Sequence, residues 1–186
     1  AIAEWIDSGA LAHFLVDART ALLINNAGVV QPMGPLAAQE SAAIARAVTL
    51  NVATPLLLSS ALMRAAPEEA EKRILHVSSG AGRRAYPGWS IYCATKAALD
   101  HHALSVALDD TPHLRICSLA PGVLDTDMQA QIRAASPHDF PMHSRFDDLK
   151  RDGNLADPTQ SANRLVDFLL SDAFGRAPLA DLRELN

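Results

Sequence analysis

A chain of 186 residues, 49% hydrophobic and 20% charged, can bury one full core, which excludes intrinsic disorder and points to a single domain over residues 1–186. Sixteen Lys and Arg against 21 Asp and Glu leave a formal charge of −5, too acidic for the basic face that nucleic acid requires. No uninterrupted apolar run reaches the ~18 residues of a membrane helix, and the N-terminal Ala-Ile-Ala-Glu-Trp is no signal peptide, although the missing initiator Met suggests that something precedes it.

Ile2, Trp5, Ile6, Leu11, Phe14 and Leu15 recur at helical spacing over residues 2–16, weakened at Gly9. Residues 21–24 are apolar at every position, as in a strand covered on both faces, and run into Asn25-Asn26-Ala27-Gly28. Pro32, Gly34 and Pro35 mark a loop. Residues 41–66 carry a long helical pattern interrupted at Pro55, with Asn51 among apolar neighbours. Residues 73–77 read as a second buried strand, followed by Ser78-Ser79-Gly80-Ala81-Gly82. Residues 90–109 form another long helix, and residues 114–119 a third strand closed by Ala120-Pro121-Gly122. Residues 127–153 are mixed and polar, an excursion with short helices. Residues 158–171 are a final helix with Asp157 as N-cap and Pro158 at its first position, and residues 179–185 a last strand. Cys93 and Cys117 sit in apolar stretches and offer neither a disulfide framework nor a zinc site, which makes a reducing cytoplasm the simplest home.

Strands alternating with helices of ten or more residues imply an α/β, doubly wound parallel sheet. Ligands sit at the carboxyl ends of such strands. The loops at Asn25–Gly28, Ser78–Gly80 and Ala120–Gly122 should therefore meet at one cleft.

Chemistry concentrates at Tyr92-Cys93-Ala94-Thr95-Lys96. Tyr92 and Lys96, four apart, share a helix face. A phenol with pKa near 10 is a poor proton donor at neutral pH, and a neighbouring ammonium should lower it. An isolated pair at this spacing is usually an ordinary surface turn. Ser79, at the mouth of the preceding strand, can donate to the oxygen that Tyr92 would protonate, or else only close a turn. Asn51 is either a core amide bonded to backbone or an anchor for a relay water. His101 and His102 are adjacent on a helix and cannot share a face, and no metal site is expected.

Taken together, Asn25-Asn26-Ala27-Gly28, Asn51, Ser79, Tyr92-x-x-x-Lys96 and Pro121-Gly122-x-x-x-Thr126 resemble the short-chain dehydrogenase/reductase family in order and spacing. Residues 78–82, Pro87-Gly88-Trp89 and residues 123–133 are similar to its sepiapterin reductase and benzil reductase branch. The resemblance implies a Rossmann-type fold and NADPH-dependent reduction of a bulky ketone or diketone, with NADP(H) favoured over NAD(H). It implies that Tyr92 gives the proton, Lys96 lowers the Tyr92 pKa and holds the ribose, Ser79 fixes the carbonyl and Asn51 holds a water. It places Asn26, Ala27, Gly28, Pro121, Gly122, Val123 and Thr126 on the cofactor. Gly80 and Ala81 would leave room for substrate beside Ser79, with Tyr86, Trp89 and Met128 as an apolar wall closed by Phe140 and Phe146; ordinary packing is the alternative for that wall. The family's first strands and glycine-rich phosphate loop are absent, so the sequence reads as part of a longer protein, and strand 21–24 would keep an unpaired edge. A ketoreductase of acyl thioesters and a non-catalytic dimerisation or binding module are the competing functions. The Ala- and Leu-rich helices at residues 41–66 and 90–109 point to a homodimer.

Overall fold

Apolar six- and seven-residue segments separated by long helices leave little choice but parallel pairing, because each return to the sheet needs a crossover. In the computed structural model, which describes residues 2–185, β1 (Thr20–Asn25), β2 (Glu71–Val77), β3 (Leu114–Ala120) and β4 (Leu179–Asp181) form one parallel sheet in that order. The last strand is three residues long, shorter than the 179–185 pattern suggests. Leu23, Ile74 and Ile116 pair across β1, β2 and β3, so a single register aligns the carboxyl ends of the three long strands.

Alternation sends the two sheet faces to different layers. Ala21, Ile74 and Ile116 pack with Leu15, Leu62 and Ala103 of the helices on one face. Leu75, Cys117 and Leu119 pack with Leu169 and Phe174 on the other, under α8 (Pro158–Leu170). As its sequence indicates, α8 is capped by Asp157, whose carboxylate accepts from the Gln160 N–H at 2.7 Å. β1 pairs only with β2 among the described residues, and its Leu22 and Ile24 are 44% and 41% exposed, the apolar edge expected from residues 21–24.

The expected first helix divides into α1 (Ile2–Asp7) and α2 (Ala10–Leu15), because Gly9 adopts φ 75°. The helix at 41–66 is not broken at Pro55. It runs from α3 (Ser41–Val48) through a π-helical segment (Thr49–Ala53) into α4 (Thr54–Ala65). Pro55 has no N–H for the Asn51 carbonyl and would crowd it, and the local i→i+5 pattern, with Thr54 N–H on Thr49 O, accommodates the ring without ending the helix. Read straight through, Ser41–Ala65 is long and apolar enough to cross a membrane (mean hydropathy 1.4), a run missed when Pro55 is taken as a break. Its buried Asn51, Ser59 and Leu62 instead fix it to the rest of the fold. α5 (Ser90–Leu108) follows β2. The 127–153 excursion folds into α6 (Asp127–Arg133) and α7 (His143–Arg151), packed over a cluster of Val30, Ala81, Trp89, Tyr92, Ile132, Phe140 and Phe146.

Candidate active site

The buried residues of α5 are Tyr92, Thr95, Lys96, Leu99, Asp100 and Ala103, the i, i+3, i+4 stripe of one helix face. Four of the six are polar, so this face carries chemistry into the layer that meets the sheet. Lys96 is 4% exposed, and its Nζ donates to the Val77 carbonyl at the end of β2 at 2.7 Å. The same Nζ lies 5.8 Å from the centroid of the Tyr92 ring. Desolvation lowers the Lys96 pKa to about 8, with Asp100 opposing that fall. Ser79 begins the turn after β2; its Oγ accepts from the Ala81 N–H at 3.1 Å and its hydroxyl interacts with the Tyr92 phenol. The three groups singled out in the sequence thus converge.

One expectation is reversed. Tyr92 is not brought down toward neutrality: burial raises its pKa, and Ser79, rather than Lys96, is the group that pulls the other way. The ammonium sits by the ring while the phenol is buried, so desolvation dominates. The phenol is therefore held in its protonated, proton-donating form.

The Asn51 side chain bonds to backbone. Its Oδ1 accepts from Val29 N–H at 2.9 Å, and its Nδ2 donates to Val29 O at 2.8 Å and Thr95 Oγ1 at 3.1 Å. Both amide hydrogens are used, so the carboxamide latches the loop after β1 onto α5. Gly28 lies at this latch: a Cβ there would stand 3.4 Å from Asn51 Oδ1 and 3.5 Å from Lys96 Nζ. The glycine leaves the approach to the ammonium open. Asn26 and Ala27 are exposed beside it. Lys96 spends one of its three N–H groups on Val77, leaving two for other acceptors.

Pro121, Gly122 and Val123 follow β3 at the same end of the sheet, with Gly122 at φ 90°, and Thr126 is exposed at the head of α6 without capping it. Gly122 faces the side chain of Arg183, which forms a two-pronged ion pair with the buried Asp181 (2.8 and 2.5 Å). Asp181 and Arg183 stand at the end of β4 and were not singled out from the sequence. The rule that strand ends converge was the available signal, but three strand residues gave no pattern to place them.

The aromatic wall is only partly a wall. Tyr86 and Met128 are half-buried, with Met128 Sδ 4.0 Å from the Tyr92 hydroxyl, and a Cβ on Gly80 would meet nothing within 4 Å. Trp89 is 4% exposed, stacked on Phe140 (4.5 Å, 8°) and edge-on to Tyr92 (5.3 Å). Trp89, Ala81, Phe140 and Phe146 are thus core beneath the site, because the excursion folds back and covers them. A protonated phenol, a hydroxyl and a buried ammonium brought together at one sheet end can hold a carbonyl oxygen, protonate it and disperse its developing charge.

A sequence profile described as short chain dehydrogenase matches residues 10–137. A benzil reductase ((S)-benzoin forming) of Bacillus cereus is 37% identical over 166 residues, covering 87% of this chain and 67% of that protein. A sepiapterin reductase of Meriones unguiculatus is 36% identical, covering 82% of this chain and 59% of its own length. The crystal structure of a short-chain dehydrogenase/reductase from Burkholderia vietnamiensis is 51% identical, covers 100% of this chain and 72% of its own, and superposes with a TM-score of 0.65. The chain thus spans about three fifths to two thirds of the length of these two curated relatives.

Proposed function

This chain belongs to the short-chain dehydrogenase family, and from that premise we propose that it carries the proton-transfer half of a reductase for bulky ketones or diketones. The observation behind this reading is the meeting of Ser79, Tyr92 and Lys96 at the sheet's carboxyl end, roofed by Met128 and floored by the Trp89 cluster. A nicotinamide cofactor, when bound, supplies the hydride. Gly28, Lys96, Gly122 and Thr126 fit its nicotinamide ribose side, since Gly28 leaves space against Asn51 and Lys96. The likeness of residues 78–82 and 123–133 to the benzil and sepiapterin reductase branch supports NADP(H) over NAD(H) and a bulky, partly aromatic substrate.

In the proposed reaction Ser79 orients the ketone oxygen and bonds the Tyr92 phenol, Tyr92 Oη transfers its proton to that oxygen, and Lys96, fixed by Val77 O, is placed for the ribose hydroxyls of the cofactor. Asn51 serves as the latch that holds the Gly28 loop against Thr95. The proposed partners are a small-molecule ketone and a second copy of the chain, and the proposed compartment is the cytoplasm.

Tyr92→Phe tests this directly. NADPH-dependent reduction of benzil should disappear while NADPH binding, followed by fluorescence, stays within about twofold. Wild-type turnover by Tyr92→Phe would remove the proton-donor assignment. Running benzil, sepiapterin and an acetoacetyl thioester side by side separates the diketone reading from the thioester one: a preference for the thioester would overturn the substrate class.

A further inference from the structure

Asp100 stands one helical turn beyond Lys96 on the buried face of α5, and only 5% of it is exposed. A buried carboxylate is costly unless it is paired and hydrogen-bonded. Here it accepts from Ser118 Oγ at 2.6 Å and from Arg83 Nε at 3.3 Å. Arg83 is the residue after the Gly80–Gly82 turn, and its Nη2 also donates to the carbonyls of Ser118 (3.2 Å) and Ala180 (2.9 Å) at the ends of β3 and β4. The turn lies directly on the helix: a Cβ on Gly82 would come within 2.9 Å of Asp100 Oδ2 and 3.0 Å of the Lys96 carbonyl. Asp100 therefore touches, through one network, the helix turn that bears Lys96 and the chain segment that bears Ser79.

We propose that Asp100 is a positioning residue for this site: its carboxylate is the buried counter-charge behind the Lys96 ammonium, and through Arg83 it clamps the Ser79 turn onto α5. The role assigned to it rests on the reading of Lys96 and Ser79 given above. The charged and titratable groups facing Lys96 are Tyr92 and Asp100 from α5 and His76 from β2, with Arg83 behind the carboxylate. Of these Asp100 is the anion, and it opposes the desolvation that draws the Lys96 pKa down. Lys96 and Asp100 make no direct ion pair among the described residues; the ammonium is held by Val77 O, and the carboxylate acts through space.

The test is a titration of Lys96 by NMR of labelled lysine side chains in the whole chain, whose other lysines are only Lys72 and Lys150. Asp100→Asn keeps the shape and removes the anion, so the Lys96 midpoint should fall by about one pH unit. Arg83→Gln frees the same carboxylate from its cation, so the midpoint should rise, and Arg83→Lys should return it toward wild type. Opposite shifts are a result that a purely structural network would not give. An unchanged midpoint in folded Asp100→Asn, or shifts of the same sign in Asp100→Asn and Arg83→Gln, overturns the proposal. Should Asp100→Asn not fold, Arg83→Gln decides alone: a rise supports the counter-charge and no change refutes it. No turnover is read, so this outcome is independent of whether Tyr92→Phe abolishes ketone reduction.

Discussion

At the scale of residues, Ser79 has two contacts to weigh. Its hydroxyl closes the Gly80–Gly82 turn through Ala81 N–H and also engages the Tyr92 phenol. Under the proposed function the second contact dominates, and Ser79→Ala should lower the rate of ketone reduction by ~10²–10³, the usual loss for a carbonyl-oxygen donor. A near-normal steady-state rate would reduce Ser79 to a turn residue. His76, inside a strand pattern, carried no signal of its own along the chain. It is fully buried, with Nδ1 3.0 Å from Asn25 Nδ2 and Nε2 3.0 Å from His102 Nδ1. With the amide nitrogen of Asn25 as donor, His76 accepts at Nδ1 and donates from Nε2, so both imidazoles are neutral. Burial, with His102 and Lys96 nearby, holds the His76 pKa at about 3, below its ordinary 6.5. Between those values the unfolded chain takes the proton and the folded chain does not. The stabilising contribution is thus complete above the ordinary value and is lost as pH falls toward 3. Thermal melts from about pH 7 to about pH 4 should show Tm falling, and His76→Gln should flatten that slope; equal slopes would remove His76 as the source.

At the scale of elements, two features separate what a pattern shows from what packing requires. Pro55 reads as an interruption, yet the π-helical segment carries the helix through it and turns Asn51 onto the Gly28 loop and Thr95. Gly88, in the Pro87-Gly88-Trp89 stretch, holds φ 80°, and a Cβ there would collide with the Asp139 carbonyl of the excursion. This is where the excursion is pinned over Trp89. Gly88→Ala should destabilise the fold by about 3 kcal/mol, from a left-handed backbone cost plus an overpacking cost. Gly80→Ala, with open space at its Cβ, is the control and should change chemical-denaturation stability by less than about 1 kcal/mol. Equal stabilities for the two variants would mean that the excursion is not anchored there.

At the scale of the whole molecule, apolar side chains remain uncovered on the two long helices that face away from the sheet. Val48 and Leu57 are 43% and 47% exposed on the Ser41–Ala65 helix, and Leu104 and Leu108 are 37% and 85% exposed on α5. A second copy of the chain pairing through these helices is the proposed occupant, since a self-complementary face is the usual way a homodimer covers such residues. Light scattering should give twice the monomer mass, and Leu57→Asp with Leu108→Asp should halve it. A wild-type monomer would refute the dimer and leave the active-site reading intact, because the residues that form the site come from one chain.

The sequence by itself determined the alternation of buried strands and helices, hence the parallel sheet, and it placed Ser79, Tyr92 and Lys96 in one chemistry. Local spacing puts Tyr92 and Lys96 on one helix face and Ser79 at a strand end, and the resemblance of the combined motifs to the family supplied their joint chemistry. Tertiary structure decided what those groups experience. Burial, not the neighbouring ammonium, governs the Tyr92 phenol; Asn51 spends its amide on Val29 and Thr95; Trp89 becomes core once Phe140 stacks on it; Asp100 is paired with Arg83 and Ser118, and Asp181 with Arg183 at the end of β4. Desolvation and hydrogen-bond partnership depend on what packs against a group from distant positions, and spacing along the chain carries no record of it.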